Sequence, residues 1–253
     1  MYVISAGYRK ARKKVARADE RGAKRVLQWA MVKGDTGRVQ AFVFDLDGTL
    51  VDSKQDIVRS VNLMLRDTKR RKQPAELVRT FIGHGAPQLI ASVLGPGASE
   101  EQRHEALEVF LAHYRERKLD RTRCYPGVAE ALRKLAGRPM AVLSNKPTEL
   151  SVDILKGLGL AGFFAAIYGG DSFGRKKPDP AGALAVLKEL GASPRKSAMV
   201  GDSDVDVETA RNAGMLAVGV NYGFGQHDRE KRPADIYVDS LLELVPLAEN
   251  HRS

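Results

Sequence analysis

The chain has 253 residues, 43% of them hydrophobic, enough for one substantial core with or without a smaller companion. A single cysteine, Cys124, excludes an intrachain disulfide, and no apolar run reaches the roughly 18 residues of a membrane span. The formal charge of +10 is concentrated: residues 1–39 hold 11 Lys and Arg against 3 Asp and Glu, which leaves the remainder at only +2.

The opening segment, basic from Arg9 to Lys14 and closing on Gly34-Asp-Thr-Gly37, offers few anchors for a core and reads as an extension over 1–39. It fits a poorly ordered appendage, a helix packed on the core, or a docking arm for an acidic partner or nucleic acid. No zinc spacing or aromatic-interleaved motif singles out nucleic acid. Basic residues follow the short apolar stretch Met1 to Gly7 instead of preceding it, so no secretory signal is read and the cytoplasm is the expected location.

Ala41 to Phe44 has the length and the aromatic and β-branched content of a buried strand, and it ends in Asp45-Leu46-Asp47-Gly48-Thr49. Ligands bind at the carboxyl edge of open α/β sheets, and Gly48 permits a turn there. Carboxylates two residues apart lie on one side of a strand and repel unless a cation or a shared proton sits between them. A hard divalent ion such as Mg2+ meets that need with oxygen ligands, although a solvated Asp-Leu-Asp-Gly turn fits the same four residues.

After Asp52 and Ser53, placed to cap a helix, the apolar period becomes helical up to Asp67. Helices follow at Ala75 to Ile82, Ala86 to Leu94 and Glu101 to Leu119, with breaks at Gly83-His-Gly85 and Gly95-Pro-Gly97. No strand is read between them, so residues 54–123 form an all-helical cap inserted into an alternating chain.

From Tyr125 onward helix and strand alternate. Helices are expected at Val128 to Leu135, Thr148 to Leu158, Pro180 to Leu190, Asp204 to Ala213 and Ser240 to Leu247. Strands are expected at Pro139 to Leu143, Ala165 to Tyr168, Ser197 to Val200, Leu216 to Val220 and Ile236 to Val238. The order predicts an α/β fold, a doubly wound parallel sheet of Rossmann type, built from 40–53 and 124–253.

Small polar, cationic and acidic residues recur where those strands end. Leu143 runs into Ser144-Asn145-Lys146-Pro147, the next strand is followed by Lys176-Lys-Pro-Asp-Pro180, and Val200 runs into Gly201-Asp-Ser-Asp-Val-Asp206. On these four motifs, in this order, the chain resembles the haloacid dehalogenase-like hydrolase superfamily, and within it the phosphoglycolate phosphatases with a helical cap. The resemblance runs from about Ala41 to Leu247.

Phosphoryl transfer needs an in-line nucleophile, neutralisation of the equatorial oxygens and a proton for the leaving oxygen. Asp45 is the expected nucleophile, forming an aspartyl-phosphate, and Asp47 the group that protonates the leaving alkoxide and then deprotonates water. A dehalogenase needs no such second carboxylate, so Asp47 argues against that branch. The resemblance implies that Ser144 and the amide of Asn145 donate to phosphate, with Thr49 beside them, although a serine after a strand also serves as a helix cap. Lys177 matches the lysine of the third motif, with Lys176 as the competing register. The implied Mg2+ ligands are Asp45, Asp47 partly through its main-chain carbonyl, Asp202 and, through the outer shell, Asp206, while Asp204 fits a helix cap.

Phe81-Ile-Gly-His-Gly-Ala86 resembles the glycine-rich cap loop of the family, which commonly has Asn where this chain has His84. Gly83, His84 and Gly85 are thus candidates for reading the substrate's leaving group, the other reading being a helix-ending turn with an exposed imidazole. The expected function is a Mg2+-dependent phosphatase acting on a small phosphorylated metabolite. A phosphomutase of the same superfamily shares all four motifs, and a non-catalytic binding protein using the basic arm is the reading from another class. Nothing in the residues sets an oligomeric state.

Overall fold

The computed structural model describes residues 39–225 and 228–248. All but the last residue of the basic extension at 1–39 therefore lies outside the described residues. Eight strands follow in chain order: β1 (Ala41–Phe44), β2 (Val51–Asp52), β3 (Arg123–Cys124), β4 (Met140–Leu143), β5 (Ala166–Tyr168), β6 (Ser197–Gly201), β7 (Leu216–Val220) and β8 (Ile236–Val238). Six of them form one parallel sheet in the order β5-β4-β1-β6-β7-β8.

From β1 the chain runs outward through β4 and β5 on one side, then crosses back to β6 on the other side of β1 and continues through β7 and β8, so the strand order reverses at β1. A reversal opens a crevice at the carboxyl ends of the strands on either side. Phe44 is in register with Val142 of β4 and Val200 of β6, which brings the segments after these three strands to one place.

Both faces of the sheet are covered, so its central strands are apolar without alternation. Successive side chains of β1 still point to opposite sides. Phe42 and Phe44 pack in one cluster with α5 (Val128–Leu135) and α6 (Thr148–Gly157), and Ala41 and Val43 in another with α7 (Ala181–Glu189) and α8 (Asp204–Ala213). This is the doubly wound architecture expected from the alternation.

Four helices occupy the interval between β2 and β3: α1 (Lys54–Asp67), α2 (Ala75–Arg79), α3 (Ala86–Leu94) and α4 (Glu100–Arg117). Their inner faces join the cluster on the Phe42 side of the sheet, through Ile57, Met64, Ile90 and Phe110 among others. Helix α4 starts on a capping box, in which the Ser99 hydroxyl accepts from the Gln102 amide and the Gln102 side chain accepts from the Ser99 amide. It buries a narrow stripe, Ala106, Phe110 and Tyr114, at intervals of one helical turn.

Three expectations need correction. Val51–Asp52 and Arg123–Cys124 pair as a short antiparallel ladder where the helical insertion leaves and re-enters, and strands of two residues carry no period to read. Helix α2 stops at Arg79 because Thr80, Phe81 and Ile82 bond three residues back, to Leu77, Val78 and Arg79, which tightens the chain into turns. The terminal helix is divided into a 3-10 turn at Leu241–Leu244 and α9 (Val245–Ala248), with Pro246 in the first turn of α9, where its missing N–H costs little.

Asp56 ties the two ends of the insertion together. Its fully buried carboxylate, in the first turn of α1, accepts from the Arg121 amide at 2.9 and 3.0 Å and from the amide and hydroxyl of Thr122, each at 2.8 Å. Asp56→Ala leaves those buried donors without an acceptor and is expected to cost about 3 kcal/mol or more. Urea denaturation measures this directly, and a loss below about 1 kcal/mol would show that water replaces the carboxylate.

Candidate active site

The residues following β1, β4 and β6 are Asp45, Ser144 and Asp202, all buried at the crevice. Oxygen atoms of Asp45, Asp202 and Asp206 lie within 4.8 Å of one another. The cation among them is Lys177, whose Nζ is 2.8 Å from Asp45 Oδ1 and 2.6 Å from Asp206 Oδ1. Lys176, the competing register, is exposed and lies outside this cluster.

Each carboxylate has a different set of partners. Asp206 places Oδ1 on Lys177, while its Oδ2 accepts from the Ser203 amide at 3.1 Å and hydroxyl at 2.7 Å at the start of α8. Asp202 Oδ2 accepts from the amides of Phe224 and Gly225, at 2.9 and 2.6 Å, in the loop after β7. Glycine is required around it: a Cβ on Gly48 or Gly223 would stand 1.9 or 2.2 Å from atoms of Asp202. Asp204 does not cap α8; it is the first helical residue, accepts from the Asp228 amide and pairs with Arg232.

The electrostatics follow from three negative charges meeting one positive charge in a dry place. Burial lifts the Asp45 carboxyl to about 6, against the pull of Lys177, with Asp206 and Asp47 adding to the rise. Burial also pushes Asp202 well above the carboxylate range, helped by Asp206 and Asp45, and the two amides only partly oppose it. For Lys177 burial disfavours the ammonium, but Asp206 and Asp45 outweigh it and raise its pKa. The cluster is thus short of positive charge and rich in oxygen donors, which fits a hard cation.

Asp47 stands apart from this cluster. Its Oδ2 is 2.8 Å from Lys146 Nζ, and its Oδ1 accepts from the Ser53 hydroxyl. Ser53 therefore does not cap α1, for which no side-chain cap is formed. Lys146 also donates to the Tyr114 hydroxyl at 2.9 Å, so a residue of α4 reaches the ion pair of Asp47.

A cavity of about 50 Å3 lies between the helices and the sheet edge. Asp45, Asp47, Ser144, Asn145 and Lys146 line it from below, and Ile82, Gly83, Gly85, Leu89, Phe110 and Tyr114 from above. Ser144 Oγ accepts from the Lys146 amide and does not cap a helix. The Asn145 side chain fastens two loops: Nδ2 donates to the carbonyls of Gly83 and Lys177, and Oδ1 accepts from the Lys177 amide. Gly85, with φ of +89°, packs where a Cβ would meet the Asn145 carbonyl at 2.8 Å.

Two expected substrate contacts lie elsewhere. His84 is exposed and does not line the cavity, because the loop turns its two glycines inward. Thr49 is fully buried and also outside the lining; its carbonyl accepts from the Tyr222 hydroxyl, and its Oγ1 has no partner among the described residues.

Comparison with known proteins agrees with this geometry. A model of the haloacid dehalogenase-like hydrolases matches residues 42–220. The chain belongs to that family. Among its relatives, a phosphoglycolate phosphatase of Pseudomonas syringae is 39% identical over 213 residues, covering 81% of this chain and 78% of its own length. The phosphoglycolate phosphatase of Aquifex aeolicus is 36% identical over 215 residues, covering 84% and 98%. A crystal structure described as a predicted phosphoglycolate phosphatase from Haemophilus somnus superposes with a TM-score of 0.77 at 30% identity, covering 83% of this chain and 98% of the other.

This member of the haloacid dehalogenase-like hydrolases is a phosphoric monoester hydrolase. No helix among its described residues is long and apolar enough to cross a membrane. Three parts of the site were not singled out from sequence: Lys146, Tyr114 and the loop Gly223 to Gly225. Tyr114 left a usable signal, as the polar member of an apolar stripe one helical turn apart on α4. Lys146 left none, since a lysine in a loop is ordinarily solvated.

Asp202→Asn keeps an oxygen for the two amides and removes a carboxyl whose ionisation burial and its acidic neighbours oppose. In the presence of chelator the variant is expected to melt no lower than the wild type, and up to a few degrees higher. A fall of more than about 5 °C would assign Asp202 to the scaffold.

Proposed function

We propose that the chain is a Mg2+-dependent phosphatase that hydrolyses phosphoglycolate or a closely similar small monoester through an aspartyl-phosphate. The observation that carries this reading is the division of labour between the two aspartates of one loop: Asp45 faces Lys177 and the acidic cluster, and Asp47 faces Lys146 and the cavity. The names of the relatives support the substrate.

In this mechanism Asp45 attacks phosphorus while the bond to the leaving oxygen breaks, and Asp47 gives that oxygen a proton. Asp47 next takes a proton from the water that attacks the aspartyl-phosphate, releasing phosphate and restoring the Asp45 carboxylate. Lys177 offsets charge on the nucleophile and the phosphoryl oxygens, and the Ser144 hydroxyl and Asn145 amide donate to those oxygens in this reading. Asp45 and Asp202 would hold the metal, with the Asp47 main chain beside them and Asp206, already engaged by Lys177 and Ser203, behind. When bound, Mg2+ supplies the missing positive charge to the phosphoryl oxygens. Gly83 and Gly85 bring the cap loop against the cavity. His84, held outside, is left without a part in this reading.

Asp45→Asn preserves size and removes the nucleophile. Phosphate release from 2-phosphoglycolate with Mg2+ is expected to fall by at least about 1000-fold. Retention of a tenth of the rate would exclude Asp45 as nucleophile, and undiminished turnover in chelator would exclude the metal.

The pH dependence has a definite sign. Without metal, Asp45 titrates near 6 when folded and near 3.8 when unfolded, so its contribution to stability is present below about 4 and is lost as the pH rises through 6. Mg2+ binds the ionised form. The rise in melting temperature on adding Mg2+ is therefore expected to grow between pH 5 and 7, and to lose much of that growth in Asp45→Asn. An increment constant over this range in the wild type would overturn the assignment.

A further inference from the structure

Lys146 is buried and engaged from two sides. Its side chain is only 6% exposed, with Nζ 2.8 Å from Asp47 Oδ2 and 2.9 Å from the Tyr114 hydroxyl. Of the three charged residues that line the cavity, Asp45, Asp47 and Lys146, it is the cation. An ammonium has three protons to donate. One goes to Asp47 Oδ2 and one to the Tyr114 hydroxyl, and the third has no acceptor among the described residues.

Tyr114 approaches from the other side. Its hydroxyl accepts from Lys146 and donates to no described residue, and burial pushes it up to about 12, so it keeps its proton at neutral pH. The ammonium also lies 4.4 Å from the centre of the tyrosine ring. One unspent donor from the sheet edge and one from α4 thus meet at one end of the cavity. The cap otherwise presents Ile57, Ile82, Leu89 and Phe110 there, which offer no polar side-chain atom.

We infer that Lys146 and Tyr114 form a clamp for a carboxylate on the substrate's leaving group, one carbon from the oxygen that departs. This rests on the phosphatase reading above and deepens it by naming what selects the substrate. A carboxylate matches two converging donors with its two oxygens. The position of the clamp sets the length of the ligand: Lys146 touches Asp47, the group that handles the leaving oxygen, so an anion on the adjacent carbon reaches it. Because the two donors belong to the sheet edge and to α4, a bound carboxylate also joins cap to core.

The test compares 2-phosphoglycolate with 2-hydroxyethyl phosphate, which has a similar length and a neutral end, using the full chain with Mg2+. The clamp predicts that the wild type favours 2-phosphoglycolate in kcat/KM by about tenfold or more. Tyr114→Phe, which keeps the ring and its packing, is expected to lower that ratio about tenfold, and Lys146→Gln about 100-fold. If Lys146 only positions Asp47, both substrates slow together and the ratio survives in both variants, which overturns the clamp and leaves the substrate reading standing. A wild type without the preference overturns the substrate reading and the clamp with it. Thermal melts of both variants establish folding, and Tyr114→Phe alone decides the matter if Lys146→Gln is unfolded.

Discussion

Three carboxylates confined with one ammonium at the edge of a parallel sheet constitute the constraint to which the surrounding structure answers. Isolated charges in such a place cost several kcal/mol each, so the arrangement persists only because each carboxylate has a directed partner. Lys177 neutralises Asp45 and Asp206 together. The amides of Phe224 and Gly225 stabilise one oxygen of Asp202, and glycines at 48 and 223 let backbone come close enough to enclose it. The residual negative charge suits the cluster to a hard cation.

A second, separate ion pair, Asp47 with Lys146, makes the two aspartates of one loop chemically unlike. Leu46 is fully buried between them, and the turn at Gly48 and the Ser53 hydroxyl set the direction of Asp47. The pair also faces the helical cap, because Tyr114 completes it. Other contacts across the same boundary converge near the site: Asn145 holds the Gly83 carbonyl, and Arg79 of α2 donates to the Phe224 carbonyl in the loop that supports Asp202. Motion of these helices would therefore be felt both at Asp47 and at the loop that supports Asp202.

The fold was legible where a segment is long and periodic. The helices read at Ala86 to Leu94, Val128 to Leu135 and Asp204 to Ala213 have those bounds in the structure, and the six strands of the parallel sheet were found to within a residue at each end. The ladder between β2 and β3 was missed, since pairing over two residues is set by partners far apart in the chain. Ser53 and Asp204 were read as local caps because such residues commonly satisfy a nearby amide. Both are used over longer distances, Ser53 on Asp47 and Asp204 on Asp228 and Arg232.

Sequence by itself determined the alternation of strands and helices, the helical insertion, and the acidic, hydroxyl and lysine residues placed at successive strand ends. Those features are local: each depends on period, on a turn residue, or on what immediately follows a strand. Only the tertiary structure decided which of two adjacent lysines enters the cluster, which glycines of the cap loop face the cavity while His84 stays outside, and that Lys146 meets Tyr114. Such choices depend on side chains brought together from residues 29 or more apart, and no spacing along the chain records a distance of 2.9 Å between Lys146 and Tyr114.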